Sequence, residues 1–339
     1  VKQKTENRKQ KTENRKQIRL PILVIVVPCF NESEAFPICL DTLKNILEQL
    51  ITQHQISFDS YILFSDDCSQ DDTWSQITMA TQKYPHVKGI RLSRNKGHQI
   101  NLMAGLTCAH KDADITISID ADLQDDISVI AQMVDAYIEG NEIVYGVRNS
   151  RESDSYLKRS TAQSFYKFMS VMGVDQVSNH ADFRLLSKKA LAALLQYQEQ
   201  NLYIRGLIPL IGFKSTNIHY KRMPRMKGES KYPLRKMISL ALTGITSLTI
   251  TPLRIITIIG FLACLFSMII FAYVVILKLI GQTVAGWSSM IAAIILCSGV
   301  QMLSLGIIGE YIGKIYLEVK NRPKFFIENI AGFPNSFND

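Results

Sequence analysis

Between Ile22 and Val147 the chain alternates two hydrophobic rhythms. Ile22–Val27 is an unbroken run of Ile, Leu and Val stopped by Pro28, the pattern of a strand buried on both faces that ends in a loop. Pro37–Leu50 follows, with Ile38, Leu43, Ile46, Leu47 and Leu50 at helical spacing. The pair of patterns then recurs. Tyr61–Phe64, Val87–Leu92, Ile115–Ile119 and Glu142–Val147 read as strands. Asp72–Tyr84, His98–His110 and Ile127–Glu139 read as helices, the first with Asp71 as a cap. Strands alternating with helices predict βαβ units and a parallel sheet. Tyr156 to Phe213 reads as mostly helical, and Ser215–Tyr220 as one more strand.

The rhythm changes in the last third. Lys221–Tyr232 is a basic loop containing Pro and Gly. Leu234–Leu248 is apolar along one side and starts with Arg235 and Lys236, which suits an amphipathic helix lying in a membrane interface. Ile255–Leu277 and Trp287–Gly309 are each 23 residues without a charge. At helical rise each spans roughly 35 Å, enough for a hydrocarbon core. The short link Lys278–Gly286 makes them an antiparallel hairpin. Arg235, Lys236 and Arg254 precede the hairpin, Lys314, Lys320, Arg322 and Lys324 follow it, and only Lys278 lies in the link. Basic flanks stay inside, so both termini and the bulk of the chain are expected on the cytoplasmic side of the plasma (inner) membrane.

The expected division is a basic tail over 1–19, a cytoplasmic catalytic domain over 20–232, an interfacial helix over 233–252, two transmembrane helices over 253–313, and a cytoplasmic tail over 314–339. The first of these contains a perfect repeat, Lys2–Arg8 returning at Lys9–Arg15, with no apolar period and no assigned chemistry.

Composition refines this picture in two places. Hydrophobic residues make up 47% of the chain, an ordinary globular value, so the membrane character is confined to the hairpin. The net charge of +8 could mean nucleic acid, an anionic surface or phosphorylated ligands. One basic group is Arg148, Arg151, Lys158 and Arg159; the other is Arg222, Arg225, Lys227 and Lys231, just ahead of the membrane segments. That position favours a lipid-linked phosphate over nucleic acid, and arginine suits bidentate phosphate contacts. The six cysteines show no metal-binding spacing and are expected as free thiols.

The polar motifs fall just after strand ends, where open α/β sheets bind ligands. Asp120-Ala121-Asp122, with Gln124 and Asp125 behind it, follows a buried strand. Two carboxylates at that spacing can share a hard divalent cation, Mg²⁺ or Mn²⁺, that also holds substrate phosphates. Such an ion would neutralise a diphosphate leaving group. Ser65-Asp66-Asp67-Cys68-Ser69 offers a carboxylate to a uracil imide or a ribose hydroxyl, or to the next helix as a cap. Val27-Pro28-Cys29-Phe30-Asn31-Glu32 offers backbone and side-chain groups to a base. The six histidines form no metal spacing and read as structural; His98 alone adjoins a motif, Asn95-Lys96-Gly97.

Taken in order, V-P-C-F-N-E, S-D-D-C-S-Q-D, R-N-K-G, D-A-D-L-Q-D and Asp182-Phe183-Arg184-Leu185 resemble family 2 glycosyltransferases, nearest to the dolichol-phosphate-mannose-synthase-like branch. The two C-terminal spans resemble bacterial polyprenyl-phosphate glucosyltransferases of the GtrB type. The likeness covers about residues 20–325. It implies a GT-A (Rossmann-like) α/β nucleotide-sugar domain, with interfacial helices and a C-terminal two-helix transmembrane hairpin. It implies nucleotide-sugar contacts at Pro28, Asn31, Glu32, Asp67 and Asp120, and metal contacts at Asp120, Asp122 and Gln124. Asp122 and Asp125 become the catalytic candidates, and Arg148, Arg159, Arg222, Arg225 and Lys231 the acceptor-phosphate contacts. Cys68 stands where the family often has glycine.

The function expected is inverting transfer of one sugar, glucose from UDP-glucose, to undecaprenyl phosphate. The same chemistry with GDP-mannose or an aminosugar nucleotide is the alternative. A processive polysaccharide synthase would call for a Gln-x-x-Arg-Trp motif, which neither Trp74 nor Trp287 supplies. A non-enzymatic scaffold would not need acids at strand ends. Gly309-Glu310-Tyr311-Ile312-Gly313, with small residues four apart, suggests a homo-oligomer through the hairpin.

Overall fold

The computed structural model describes residues 19–148, 180–200, 202–220, 251–280 and 286–334. The basic tail before Arg19, the loop over 221–232 and the expected interfacial helix Leu234–Leu248 lie outside the described residues.

The elements run β1 (Leu23–Cys29), α1 (Phe36–Thr52), β2 (Tyr61–Asp66), α2 (Thr73–Lys83), β3 (Val87–Leu92), α3 (His98–Ala109), β4 (Ile115–Ser118), α4 (Ile130–Ile138) and β5 (Ile143–Arg148). They continue with β6 (His180–Ser187), α5 (Lys188–Leu195), α6 (Ile204–Leu210), β7 (Ser215–Tyr220), α7 (Thr251–Leu279), α8 (Trp287–Val319) and β8 (Ile327–Ala331). One sheet has the order β7-β5-β6-β4-β1-β2-β3-β8.

The strand period of two divides β1 between two cores. Leu23, Ile25 and Val27 face α1 and α4, meeting Leu43, Leu47, Ile130 and Met133. Val24 and Val26 face the other layer, built from Leu102 and Leu106 of α3, Leu191 of α5 and Leu207 of α6. Helix α1 buries Phe36, Leu40, Leu43, Leu47 and Leu50 at a helical period, with Pro37 in its first turn where no N–H is missed. Helix α3 lies so close to the sheet that a Cβ on Gly105 would come within 2.5 Å of Val26.

Two findings depart from the sequence expectation. The region read as mostly helical supplies β6, which lies antiparallel between β4 and β5. The sheet is therefore mixed, although β1–β2, β2–β3, β1–β4 and β5–β7 are parallel. The charges of Asp182 and Arg184 interrupt the hydrophobic run of β6, and their pairing offsets the cost of burying them. The second departure is β8. Part of the segment expected as a cytoplasmic tail forms a strand that pairs antiparallel with β3, Ile90 opposite Ile330. Phe325 and Ile330 pack on the second core. This edge strand covers β3, which would otherwise expose unpaired backbone groups.

Helix α7 contains the stretch Thr251–Ile270, long and apolar enough to cross a membrane, with mean hydropathy 2.4. Its large apolar side chains, Ile258, Phe261, Phe266 and Ile269 among them, face outward. Helix α8 meets α7 at a few positions and continues to Val319, ten residues past the expected end of the second span at Gly309.

Candidate active site

Strands β1, β2, β3 and β4 are parallel, so their carboxyl ends share one edge of the sheet. Strand β6 runs the other way and brings its beginning to that edge, with Arg184 opposite Ser118. Two residues outward on each chain stand Asp120 and Asp182.

The β1–β2 half is organised by backbone donors. Asn31 takes a left-handed conformation, φ 54°, and its Oδ1 accepts the Gln70 N–H at 2.9 Å while its own N–H donates to Ser69 Oγ at 2.9 Å. The Glu32 N–H donates to Thr73 at 2.9 Å. Asp67 is buried, and its two carboxylate oxygens accept the N–H groups of Lys96 and Gly97 at 2.7 and 2.8 Å. Desolvation raises the Asp67 carboxyl, and those two amides oppose it. Asn101 of α3 binds the Ser65 carbonyl at 2.7 Å and the Cys29 carbonyl at 3.3 Å, joining the ends of β2 and β1. The cap position of α2 is Asp72, which makes no side-chain cap bond; Asp71, expected as the cap, accepts from both Thr73 and Ser33 and ties the start of α2 to the β1 loop. Cys68, φ 58°, occupies the left-handed region that glycine takes without strain. Pro28 still belongs to β1, opposite Ser65.

The β4–β6 half is organised by charge. The His98 Nε2 lies 3.7 Å from Asp120 and 3.3 Å from Asp182, and these three side chains can bring one ligand atom each within 4.8 Å of one another. Asp182 is buried and paired with Arg184 beneath it, while Arg205 of α6 grips both its oxygens at 3.1 and 2.9 Å. Burial would raise the Asp182 carboxyl, but Arg184, His98 and Arg205 hold it well below the carboxylate range. Burial would lower the His98 imidazole, yet its hydrogen bond to Asp182 and the charge of Asp120 raise it. Asp120 is pushed up to about 6, first by desolvation and then by Asp182, Asp122 and Asp125, with His98 opposing. The loop after β4 is itself strained: Leu123, between Asp122 and Gln124, has φ 45°.

Asp125 is buried at 3% exposure and accepts from Arg148 Nε at 2.9 Å and Tyr220 Oη at 2.6 Å. Desolvation would lower the Arg148 guanidinium, and Asp125 and Tyr220 together outweigh it and raise it. Asp125 therefore holds Arg148 in place while also accepting from Tyr220.

Of the residues expected from sequence, the structure gathers Asn31, Glu32, Asp67, Asp120, Asp122, Gln124, Asp125 and Arg148 along one edge of the sheet, beside the end of Pro28's strand. Arg159, Arg222, Arg225 and Lys231 lie outside the described residues. Sequence reasoning missed His98 as a site residue, and gave no role to Arg205 or Tyr220. Asp182 and Arg184 entered only within a motif. No spacing links positions 98, 120, 182 and 205; the antiparallel entry of β6 does.

The donor set tests the family's expected cation. Asp120 is crowded by carboxylates and still keeps 35% of its side-chain surface, so a cation could reach it and relieve the repulsion. Oxygen ligands with one imidazole fit Mg²⁺ or Mn²⁺. Asp182 is already neutralised by two arginines, which leaves Asp120 as the more open carboxylate of that group.

A mixed sheet with a parallel core and acids at its strand ends is the GT-A-like arrangement of a glycosyltransferase. The chain belongs to glycosyl transferase family 2, whose model matches residues 24–195, and the GtrB C-terminal hairpin matches residues 251–315. It is 49% identical to the glycosyltransferase YkoT of Bacillus subtilis (strain 168), over 91% of each chain. It is 37% identical to the SfII prophage-derived bactoprenol glucosyl transferase of Shigella flexneri, over 90% of this chain and 96% of that one. Among solved structures it is similar, at 18% identity and a TM-score of 0.43, to a mannosyltransferase of Pyrobaculum calidifontis in complex with GDP-Man and Mn²⁺, over 90% of this chain and 88% of that one.

Proposed function

We propose that this glycosyltransferase moves one glucose from UDP-glucose to undecaprenyl phosphate, with inversion, at the cytoplasmic face of a membrane crossed by α7 and α8. The observation that carries the reading is the shared edge: the donor-side turn of Asn31 and Asp67 and the acid group of Asp120 adjoin in one chain that also carries the GtrB hairpin.

An acceptor phosphate is anionic at neutral pH, so the reaction needs little base assistance. An acceptor oxygen attacks the anomeric carbon, the bond from that carbon to the diphosphate breaks, and the diphosphate leaves with the electron pair. Arg148, tied to Asp125, which Tyr220 also holds, binds the acceptor phosphate in line in this reading. Asn31, Glu32 and Asp67 hold the nucleoside through a turn whose shape is already set by hydrogen bonds. A divalent cation held by Asp120 and Asp122, with Gln124 and His98 adjoining, would supply neutralisation of the diphosphate. The outward Gly309 and Gly313 leave room for a second copy against α8.

The test is to incubate the full-length protein in detergent with UDP- and GDP-sugars and undecaprenyl phosphate, and to weigh the glycolipid. The expected product is a hexose adduct from UDP-glucose. A product only from another donor would change the sugar, and none from any donor would overturn the reading. Arg148→Ala should raise the acceptor requirement; equal loss of nucleotide affinity would put Arg148 at the donor instead.

A further inference from the structure

Behind the donor-side turn runs a chain of polar contacts that starts on β8. Ile90 and Leu92 of β3 turn into the second core, so Arg91 between them faces the other side of the sheet. There it lies opposite Asp66 of β2 in one direction and Asn329 of β8 in the other. Its Nη2 donates to the Ser69 carbonyl at 3.1 Å, and its Nε lies 3.6 Å from the fully buried Asp66 carboxylate. Asp66 accepts from the Ser69 hydroxyl, and from the Ser69 N–H at 3.2 Å. The same hydroxyl oxygen accepts the Asn31 N–H at 2.9 Å. Arg91 is thus joined to Asn31 through Ser69. Burial raises the Asp66 carboxyl, and Ser69 and Arg91 oppose it.

Glu328 comes to Arg91 by a local irregularity. In a regular ladder the period of two would send Glu328 to the opposite face from Asn329, away from Arg91. Arg91 pairs with Asn329 but Leu92 pairs with Ile327, which leaves Glu328 as the extra residue of a β-bulge. The bulge releases Glu328 from the alternation, and its carboxylate lies 3.8 Å from Arg91 Nε. The Nε–H is buried and makes no hydrogen bond among the described residues; two carboxylates flank it instead.

We propose that Arg91, held by Glu328 of β8, is a positioning residue for the nucleotide-sugar donor, acting on the donor-side turn through Ser69. The inference rests on the reading of Asn31 and Asp67 as the seat of the nucleotide. A guanidinium suits the task because its planar fork meets the Ser69 carbonyl and the Asp66 carboxylate together, whereas an ammonium is a point charge. The segment after α8 thereby takes part in donor binding from the far edge of β3.

The experiment is calorimetry of the full-length protein in detergent with UDP and with GDP, beside transfer kinetics and thermal unfolding. Arg91→Gln leaves Asp66 its two bonds from Ser69. It should weaken binding of the nucleotide that the wild type takes about tenfold, and raise KM for the nucleotide-sugar, with kcat and the KM for polyprenyl phosphate unchanged. Arg91→Lys keeps a charge beside Asp66, so its unfolding midpoint should match the wild type while nucleotide affinity falls about threefold. A merely structural arginine would show no such split. Glu328→Gln alters a half-exposed side chain and should fold as the wild type, lose about twofold in nucleotide affinity, and cost nothing further when added to Arg91→Gln. Wild-type nucleotide affinity in both Arg91→Lys and Glu328→Gln overturns the inference. So does a fall in kcat or in acceptor affinity in place of nucleotide affinity. Asp67→Ala separates the inference from the reading beneath it. If Asp67→Ala loses the nucleotide and the Arg91 variants keep it, Arg91 alone is removed; if Asp67→Ala binds as the wild type, the seat lies elsewhere and both fall.

Discussion

The two halves of the sheet edge solve the same problem by different means. On the β1–β2 side, Asn31, Asp67 and Asp71 are fixed by backbone N–H groups of neighbouring loops. On the β4–β6 side, Asp120, Asp182 and Asp125 are fixed by His98, Arg184, Arg205 and Arg148 from four different elements. Backbone amides are partial charges that cost little to bury once paired. A buried ion pair is strongly destabilising when one partner is removed, because the other is left uncompensated. The first half should therefore tolerate substitution with graded losses, and the second should fail abruptly wherever a buried arginine loses its carboxylate.

The largest effect is expected at Asp182. Asp182→Ala leaves Arg184, 1% exposed, without its carboxylate. The loss should be about 3–5 kcal/mol, read as a fall in the denaturant midpoint of the full-length protein in detergent. A loss below about 1 kcal/mol would end the contrast between the halves.

Asp120→Asn should separate stability from activity. Desolvation and neighbouring carboxylates already disfavour the Asp120 charge, so the neutral amide should not lower the melting temperature. Transfer should fall about a hundredfold or more, and divalent-cation binding by calorimetry should fall with it. Full activity across a cation titration would remove the carboxylate from the site.

Tyr220→Phe removes one hydrogen bond to Asp125 and leaves the ion pair with Arg148. A cost of about 1 kcal/mol and a raised apparent KM for polyprenyl phosphate are expected, with nucleotide affinity unchanged. A loss confined to nucleotide affinity would detach Tyr220 from the acceptor.

On the gentler side, Asp71 is the group to titrate. Partial burial would raise it, but donors from Thr73 and Ser33 bring it from 3.8 to about 2. Its folded value lies below its unfolded one, so its stabilisation is complete above the unfolded value and is lost as pH falls towards 2. Asp71→Ala should flatten that part of the acid limb in a pH series of unfolding midpoints; an unchanged slope would count against the tie. The smallest effect belongs to Cys68→Gly. Relief of a left-handed cysteine, about 1–2 kcal/mol, slightly outweighs the added freedom of glycine, about 0.5–1 kcal/mol. A loss above about 1 kcal/mol would show that the side chain of Cys68 matters more than its backbone.

The same contrast explains which features could be read before any fold was known. Strands β1 to β5 and helices α1 to α4 were legible because a buried strand and an amphipathic helix each write their period into adjacent residues. Asn31, Asp67, Asp120 and Asp122 were legible because an acid or amide just after a buried strand lands at the sheet edge whatever the rest of the chain does. The hairpin was legible because 23 uncharged residues have few other uses. Tertiary structure alone decided the remainder. Strand β6 carries Asp182 and Arg184 into the core, which no hydrophobic period announces, and its antiparallel direction is what sets Asp182 beside Asp120. The pairing of β8 with β3 closes a loop of more than two hundred residues. Local sequence fixes which element a segment forms, since that depends on neighbours a few residues away. Which distant elements share a face depends on the order and direction in which the whole sheet pairs.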